Sequence, residues 1–243
     1  MQINNDGVVS LLSQVQEKQE SLMEKLASGK KINNASDGAA AQQIIDRLTS
    51  EVEGNRQAIN NVYDGISVAQ VAEGGLGRIN DDVNRIRELT LQSGNGVLSS
   101  GDRRAIQSEI IQLQENISQT IEQTNFAGKP LLSEIGSLEF QSGSSAGQSI
   151  SVNTQDVAAQ LNDVLAIDIT SGTSIEDALG ATDAAIETLG NARGDLGATQ
   201  NRFESAARSL TQANVNTAEA RSRIQDLDFA QAVSQQASND VLG

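Results

Sequence analysis

The 243-residue sequence contains no cysteine, no histidine and no tryptophan, and a single proline, Pro130. Without Cys there are no disulfides, thiol nucleophiles or thiolate ligands. Without His the commonest general base and the commonest metal ligand are gone, which leaves carboxylates and hydroxyls. A hydrolase built from that inventory would be unusual. With one proline, little interrupts a long helix. Aromatic residues make up 2% of the chain, one Tyr and four Phe. The apolar filling therefore falls to Leu, Ile, Val and Ala, which suits narrow helix–helix seams. Positive charge is also scarce: 17 Lys and Arg stand against 32 Asp and Glu, a net charge of −15. Such a chain is repelled by phosphate backbones, which argues against a nucleic-acid partner. Solubility alone accounts for the acid excess. No stretch approaches ~18 uninterrupted apolar residues, so no membrane span is expected. The start, MQINNDGVVSLL, has neither a basic n-region nor a cleavage site, so it does not read as a Sec signal peptide.

What is present is helical periodicity at both ends. A first helix is expected over about Asp6 to Ala27, with Val8, Leu11, Val15, Leu22 and Leu26 on one stripe. Ser28-Gly29 stops it and Lys30–Ser36 is a polar connector. A second, longer helix is expected from near Asp37, with Ser36 or Asp37 as N-cap, to about Ser93. Its stripe is Leu48, Val52, Ile59, Val62, Ile66, Ala69, Leu76, Val83 and Ile86. Gly54, Gly65, Gly74, Gly75 and Gly77 each weaken it by about 1 kcal/mol relative to Ala. Either packing compensates, with the small residues admitting a close neighbour, or the helix breaks near Gly74-Gly75. After a turn at Ser93–Gly96, a third helix over Asp102–Glu122 carries Ile106, Ile110, Leu113, Ile117 and Ile121, and folds back antiparallel.

The middle changes character. Asn125–Pro130 is turn chemistry, and Leu138–Gln141 and Ser149–Val152 alternate around SGSSAGQ as a β-hairpin should. Residues 153–173 carry no clear pattern. A last helix is expected from about Ser174 to near the end. Its seven-residue comb is Ile175, Thr182, Leu189, Leu196, Phe203, Leu210, Thr217 and Ile224, with six of the eight large and apolar. A partner stripe begins with Leu179 and Ile186 and then becomes Arg193, Gln200, Ala207, Asn214 and Arg221, a largely polar edge. That polar edge is either a solvated flank or a surface facing other subunits, where polar groups set register.

No Walker loop, GxGxxG after a strand, CxxC, HExxH or GxSxG occurs. The glycines of Ala72–Gly77 lie inside a helical pattern, not after a strand. The carboxylate pairs Asp81-Asp82 and Glu51/Glu53 read as solvated helix faces. Asp226 and Asp228 alone are too few for a firm cation site. No catalytic, cofactor or metal residue is expected.

Several blocks resemble bacterial flagellins. They are Leu26–Gln42 (LASGKKINNASDGAAAQ), Asn61–Gln70 (NVYDGISVAQ), Ala72–Leu76 (AEGGL), Val83–Ser93 (VNRIRELTLQS) and Gln123–Gly128 (QTNFAG), then Arg193–Phe203 (RGDLGATQNRF) and Thr217–Phe229 (TAEARSRIQDLDF). They span nearly the whole chain in order. The resemblance implies a minimal flagellin without outer domains. Its fold would be a mainly α, elongated antiparallel helical bundle, a coiled-coil-like rod, with a small β-hairpin element. Residues 1–36 and 222–243 would be terminal inner-core helices, disordered in the monomer. Residues 37–221 would form the rod, with the β-element at about 125–173.

The resemblance further implies export as an unfolded chain through the flagellar type III channel and polymerisation under a filament cap. The family pattern normally continues C-terminally, and the end it uses to bind an export chaperone is short here. Subunit contacts are expected at Val8, Leu11, Val15, Leu22, Leu26, Asn214 and Arg221. In flagellins one rod surface is read by Toll-like receptor 5. The matching positions are Arg85, Leu89 and Glu109, which otherwise serve as filament contacts. The alternatives are a hook–filament junction protein and a non-polymerising secreted flagellin-like coiled coil.

Overall fold

The computed structural model describes the backbone of residues 5–171 and 174–242, and the side chains of residues 14–171 and 174–239. In chain order the elements are α1 (Asn5–Ser28), α2 (Ala35–Ser93), α3 (Ser100–Gln123), β1 (Asn125–Phe126), β2 (Lys129–Pro130), β3 (Ser133–Gln141), β4 (Ser149–Asp156), α4 (Val157–Gln160), α5 (Asn162–Leu165), α6 (Ile175–Gln225) and α7 (Phe229–Leu242). The protein is mainly helical with small antiparallel β-elements, as its sequence predicts. It divides into two compact units, residues 57–209 and residues 1–56 with 210–243. The second unit takes in 37–56 and 210–221, which the sequence alone assigns to the rod.

In the 57–209 unit, α2 buries Val62, Ala69, Ala72, Leu76, Ile79, Val83 and Ile86, a face with intervals of seven, three and four. The helix runs unbroken through Gly74-Gly75. Close packing at two glycines explains how. A Cβ on Gly65 would lie 2.4 Å from Phe203 Cζ, and one on Gly75 would lie 2.6 Å from Thr124 Oγ1 and 2.9 Å from Leu132 Cδ1. Gly74 and Gly77 have open space beside them. Contacts between α2 and α6 pair Gly65 with Phe203, Glu73 with Gln200, and Arg87 with Asp183, so these helices are antiparallel. The pairs Gly75 with Thr124 and Arg85 with Glu109 make α2 and α3 antiparallel too.

The comb on α6 is buried at Thr182, Leu189, Leu196, Phe203 and Leu210. Its companion stripe differs from the expectation. The buried set is Ala178, Ala185 and Ala192, one residue before Leu179, Ile186 and Arg193. Leu179 and Ile186 are only half-buried flanks. Methyl side chains let the helices approach closely, yet they give a weak hydrophobic signal in sequence.

Helix α3 begins two residues earlier than expected, behind a capping box. Ser99 Oγ accepts from Asp102 N at 3.2 Å, and Asp102 Oδ2 accepts from Ser99 N at 2.9 Å. Its buried face is Ile106, Gln107, Ile110, Ile117 and Ile121, with Leu113 half-buried. The hairpin pairs Leu138 with Val152 and Phe140 with Ile150. Phe140 meets Phe203 edge to face at 5.7 Å, which anchors the hairpin to α6. Residues 125–130 form a two-residue ladder, β1–β2, closed by Ala127 and Gly128 at positive φ.

The segment after 152 continues β4 to Asp156 and then makes the short helices α4 and α5. Val157, Leu161, Val164 and Ile167 turn inward. Gln107 clamps this segment: its Nε2 donates to Ile167 O at 3.2 Å and its Oε1 accepts from Ile169 N at 2.9 Å.

In the terminal unit, α1 ends at Ser28 and Gly29 takes φ +68°, the left-handed conformation suited to a helix stop. The connector that follows clasps the segment after α6. Lys31 N donates to Gln225 O at 2.6 Å, Leu227 N donates to Gly29 O at 3.0 Å, and Lys30 bridges to Asp226. This clasp corrects the expectation of one helix from Ser174 to near the end. It engages the backbone at 225 and 227, and α6 stops at Gln225. Asp228 then restarts the helix as α7 by accepting from Ala230 N and Gln231 N. Asp37 likewise closes the connector, because its Oδ2 accepts from Asn33 N and Asn34 N. Gly38 next to it departs from helical geometry.

Candidate assembly surface

Two regions carry the residues that sequence nominates. In the terminal unit, α1 and α7 face each other, with Gln236 Nε2 donating to Met23 Sδ at 3.7 Å. A cleft of about 870 Å³ between them is lined by Lys18, Leu22, Lys25, Gln231 and Gln235 among others. Leu22 and Leu26 are half-buried, and Val15 is exposed. The side chains of Val8 and Leu11 lie outside the described residues. The described core of this unit is thin: Ile32, Ile45, Leu210 and Ala232 are its buried hydrophobic side chains. Met23 is 54% exposed, Phe229 53% and Val233 51%. Sequence reasoning missed Met23, Phe229 and Val233. For Phe229 and Val233 the signal was the helical pattern of the last residues, read there as the tail of one long helix, and for Met23 it was its place beside Leu22 on the first helix.

Polar groups in the same unit are also left without partners. Asn33 Nδ2, Gln42 Oε1 and Asn214 Oδ1 are buried and make no hydrogen bond. Unsatisfied buried amides are uncommon in a finished interface. Arg221 reaches Thr49 Oγ1 at 3.5 Å. Lys25 pairs with Asp37 at 3.5 Å. The Asn33 and Asn34 amides are the main cause holding the Asp37 carboxyl below its ordinary value, with Lys25 adding to them.

The second region lies on α2 and α3. Arg85 Nε and Nη2 donate to Glu109 Oε1 at 2.9 and 2.6 Å, and Nη1 donates to Glu88 Oε2 at 2.5 Å. These bonds, Glu109 first, raise the Arg85 pKa further. The structure brings Arg85 and Glu109 together as one exposed charged fork. Leu89 is not part of that surface. It is 1% exposed, so the folded chain holds it in the core rather than offering it as a contact.

The polar edge of α6 finds partners in its own chain. Gln200 Nε2 donates to Glu73 Oε2 at 3.0 Å, and Arg193 lies 3.8 Å from Glu73 Oε1. Arg87 Nε meets Asp183 Oδ1 at 2.6 Å, a pair that sequence did not nominate. No local pattern marks Glu73 or Asp183, because each pair is long-range. Asp226 and Asp228 are used structurally, by Ser222 and by the α7 cap. Among the described residues no group of His, Cys, Asp and Glu converges as a metal site. No described helix is long and apolar enough to cross a membrane.

The model of the bacterial flagellin N-terminal helical region matches residues 3–137, and that of the C-terminal helical region matches residues 179–242. The chain belongs to the bacterial flagellins. A flagellin of Halalkalibacterium halodurans is 34% identical over 223 residues, covering 90% of this chain and 82% of that protein. The phase 1 flagellin of Salmonella naestved is 41% identical over 161 residues, 64% of this chain and 32% of that longer protein. The crystal structure of Bacillus cereus flagellin superposes with a TM-score of 0.58 at 23% identity, over 67% of this chain and 94% of that one. A putative flagellar hook-associated protein from Vibrio parahaemolyticus shares the fold at a TM-score of 0.68 and 14% identity, over 78% of this chain and all of that one. As a flagellin, the chain is a structural subunit of the flagellar filament and not an enzyme.

Proposed function

We propose that this flagellin polymerises through its terminal unit into the filament that drives motility, after export as an unfolded chain through the flagellar type III channel. The observation that carries this reading is the terminal unit itself. Among its described residues it has few buried hydrophobic side chains, exposed ones that include Met23, Phe229 and Val233, and three buried polar atoms without partners. Neighbouring copies would cover the first and satisfy the second. Contacts between different patches of successive subunits do not close on themselves and so propagate as a helical filament. Many weak contacts per subunit then give a stable polymer. A thin core also suits a segment that crosses a narrow channel before it folds.

Family membership extends the reading to an export chaperone and a filament cap as partners, and to a location outside the cell. Recognition by Toll-like receptor 5 would use the Arg85–Glu109 fork, with Leu89 held in the core. The hook–filament junction reading draws on the shared fold alone, at 14% identity. The test is electron microscopy of the purified full chain after salt-induced assembly. Long helical filaments are the expected outcome. Monomers only, under conditions that assemble another flagellin, would overturn the filament reading and favour the junction.

A further inference from the structure

We propose that Asn95 is a site of spontaneous deamidation that converts the α2–α3 turn to an isoaspartyl linkage. Asn95-Gly96 is the only Asn-Gly pair in the sequence. The reaction begins when the backbone nitrogen of the following residue attacks the asparagine Cγ. Glycine permits that attack best, having no Cβ to obstruct the approach.

The structure adds three conditions that sequence does not give. First, the pair lies in the turn between α2 and α3, outside any helix, and both residues are exposed. Gly96 N takes no part in the turn's hydrogen bonds, which are made by Gly94 N, Asn95 N and Leu98 N. Asparagines inside α2, α3 or α6 are followed by N–H groups committed to the helical ladder. Second, Asn95 Oδ1 accepts from Val97 N at 3.2 Å. That donor stands where negative charge develops on Oδ1 during attack, and it stabilises the tetrahedral intermediate. Third, Val97 is 91% exposed, and a Cβ placed on Gly96 would meet nothing within 4 Å. No side chain packed beside Gly96 therefore obstructs the rotation that brings N and Cγ together.

Other asparagines outside the helices are less apt, among them the exposed Asn125, which precedes the bulky Phe126. Asn34 is followed by Ala35, which carries a Cβ. Asn33 is followed by Asn34, whose N–H is held by Asp37 at 3.2 Å.

The chemistry balances without a co-reactant other than water. The Gly96 N to Asn95 Cγ bond forms, the bond from Cγ to the side-chain nitrogen breaks, and ammonia leaves with the displaced proton. Water then opens the succinimide at either carbonyl and gives aspartate or isoaspartate. The isoaspartyl product routes the main chain through the side chain and adds one methylene to the turn. It adds one negative charge and disturbs the Leu98 N to Asn95 O bond of 3.1 Å that leads into the Ser99 cap.

The test is to hold the full chain at neutral and mildly alkaline pH and follow the tryptic peptide Glu88–Arg103 by tandem mass spectrometry. Isoaspartate is scored by an isoaspartyl-selective methyltransferase. The expected result is the mass difference between amide and acid at Asn95, arising severalfold faster than at any other asparagine. Gly96→Ala should slow it severalfold while the circular dichroism stays unchanged, since the added methyl meets open space. An Asn95 that keeps its amide while other asparagines convert would overturn the proposal, as would a Gly96→Ala rate equal to the parent's.

Discussion

Arg85 and Leu89 stand one turn apart on α2, yet one ends in solvent and the other in the core. Leu89→Ala should cost about 2–5 kcal/mol, because it empties a fully packed position. Arg85→Ala should leave the stability nearly unchanged, because its pairs are exposed. Urea melts of the two variants separate the roles. Equal midpoints would contradict the burial of Leu89. A receptor or assembly defect in Leu89→Ala would then report a damaged fold, and only the Arg85 variant would report a lost contact. Gly65 makes the same point by addition. Its Ala variant drives a methyl into the Phe203 ring, an overpacking that should cost about 1–3 kcal/mol in a urea melt.

At the scale of elements, helix ends and turns carry the acid sensitivity. Asp37, Asp102 and Asp168 all titrate below their ordinary value of 3.8, because backbone N–H and hydroxyl groups donate to them. Asp168 is drawn down to about 2 by Thr170 and Ser171. In the window between the unfolded and folded values the unfolded chain binds more protons, so stability falls as pH falls. The contribution is present above about pH 4 and is lost toward pH 2.

Asp82 runs the other way. Burial, and then the neighbouring Asp81, raise its pKa. Between the ordinary and the raised value the native form binds more proton than the unfolded form, so its contribution fades as pH rises through the raised value. Asp82→Asn should therefore raise the thermal midpoint more at pH 7 than at pH 4, by scanning calorimetry. Ser99→Ala should lose about 1 kcal/mol from the α3 cap, and with it the part of the Asp102 acid dependence that the Ser99 hydroxyl supplies, while the Ser99 N–H bond remains.

At the scale of the whole chain, a net charge of −15 sets the conditions of association. Like-charged subunits repel, and salt screens that repulsion within about 8–10 Å at moderate ionic strength. Assembly should strengthen with added salt, as read by light scattering. Replacing Phe229 and Val233 with Ser should abolish that salt response and leave monomer helicity intact, since both side chains are about half exposed already. Leu210→Asp should instead reduce monomer helicity, because Leu210 is one of the few buried hydrophobic side chains among the described residues of the terminal unit. Arg221→Ala should spare the monomer and weaken assembly. Equal helicity loss in the Leu210 and Arg221 variants would contradict that division.

The sequence by itself determined the inward positions Val62, Ala69, Leu76, Val83 and Ile86 of α2, Ile106, Ile110, Ile117 and Ile121 of α3, the comb from Thr182 to Leu210 on α6, and where the hairpin pairs, while Leu48, Val52, Ile59 and Ile66 of the expected α2 stripe are only half-buried. Those features are local: a three-and-four spacing aims side chains to one side of a helix, and alternation aims them to one face of a strand. Tertiary structure decided the rest. Ala178, Ala185 and Ala192 form the second seam of α6 because a neighbouring helix comes close enough to cover a methyl group. Residues 153–156 gained their shape from pairing with β3, and the backbone at Val164, Ile167 and Ile169 is held by Gln107 and Gln114 from far upstream. The break between α6 and α7 has no proline and no glycine to announce it. It follows from backbone bonds made by residues 29–31 to residues 225–227. Leu89 carries the residue type the family motif asks for, and only the packing of α2 placed it in the core. In each case the deciding partner lies far along the chain, so no window of sequence around the residue contains the cause.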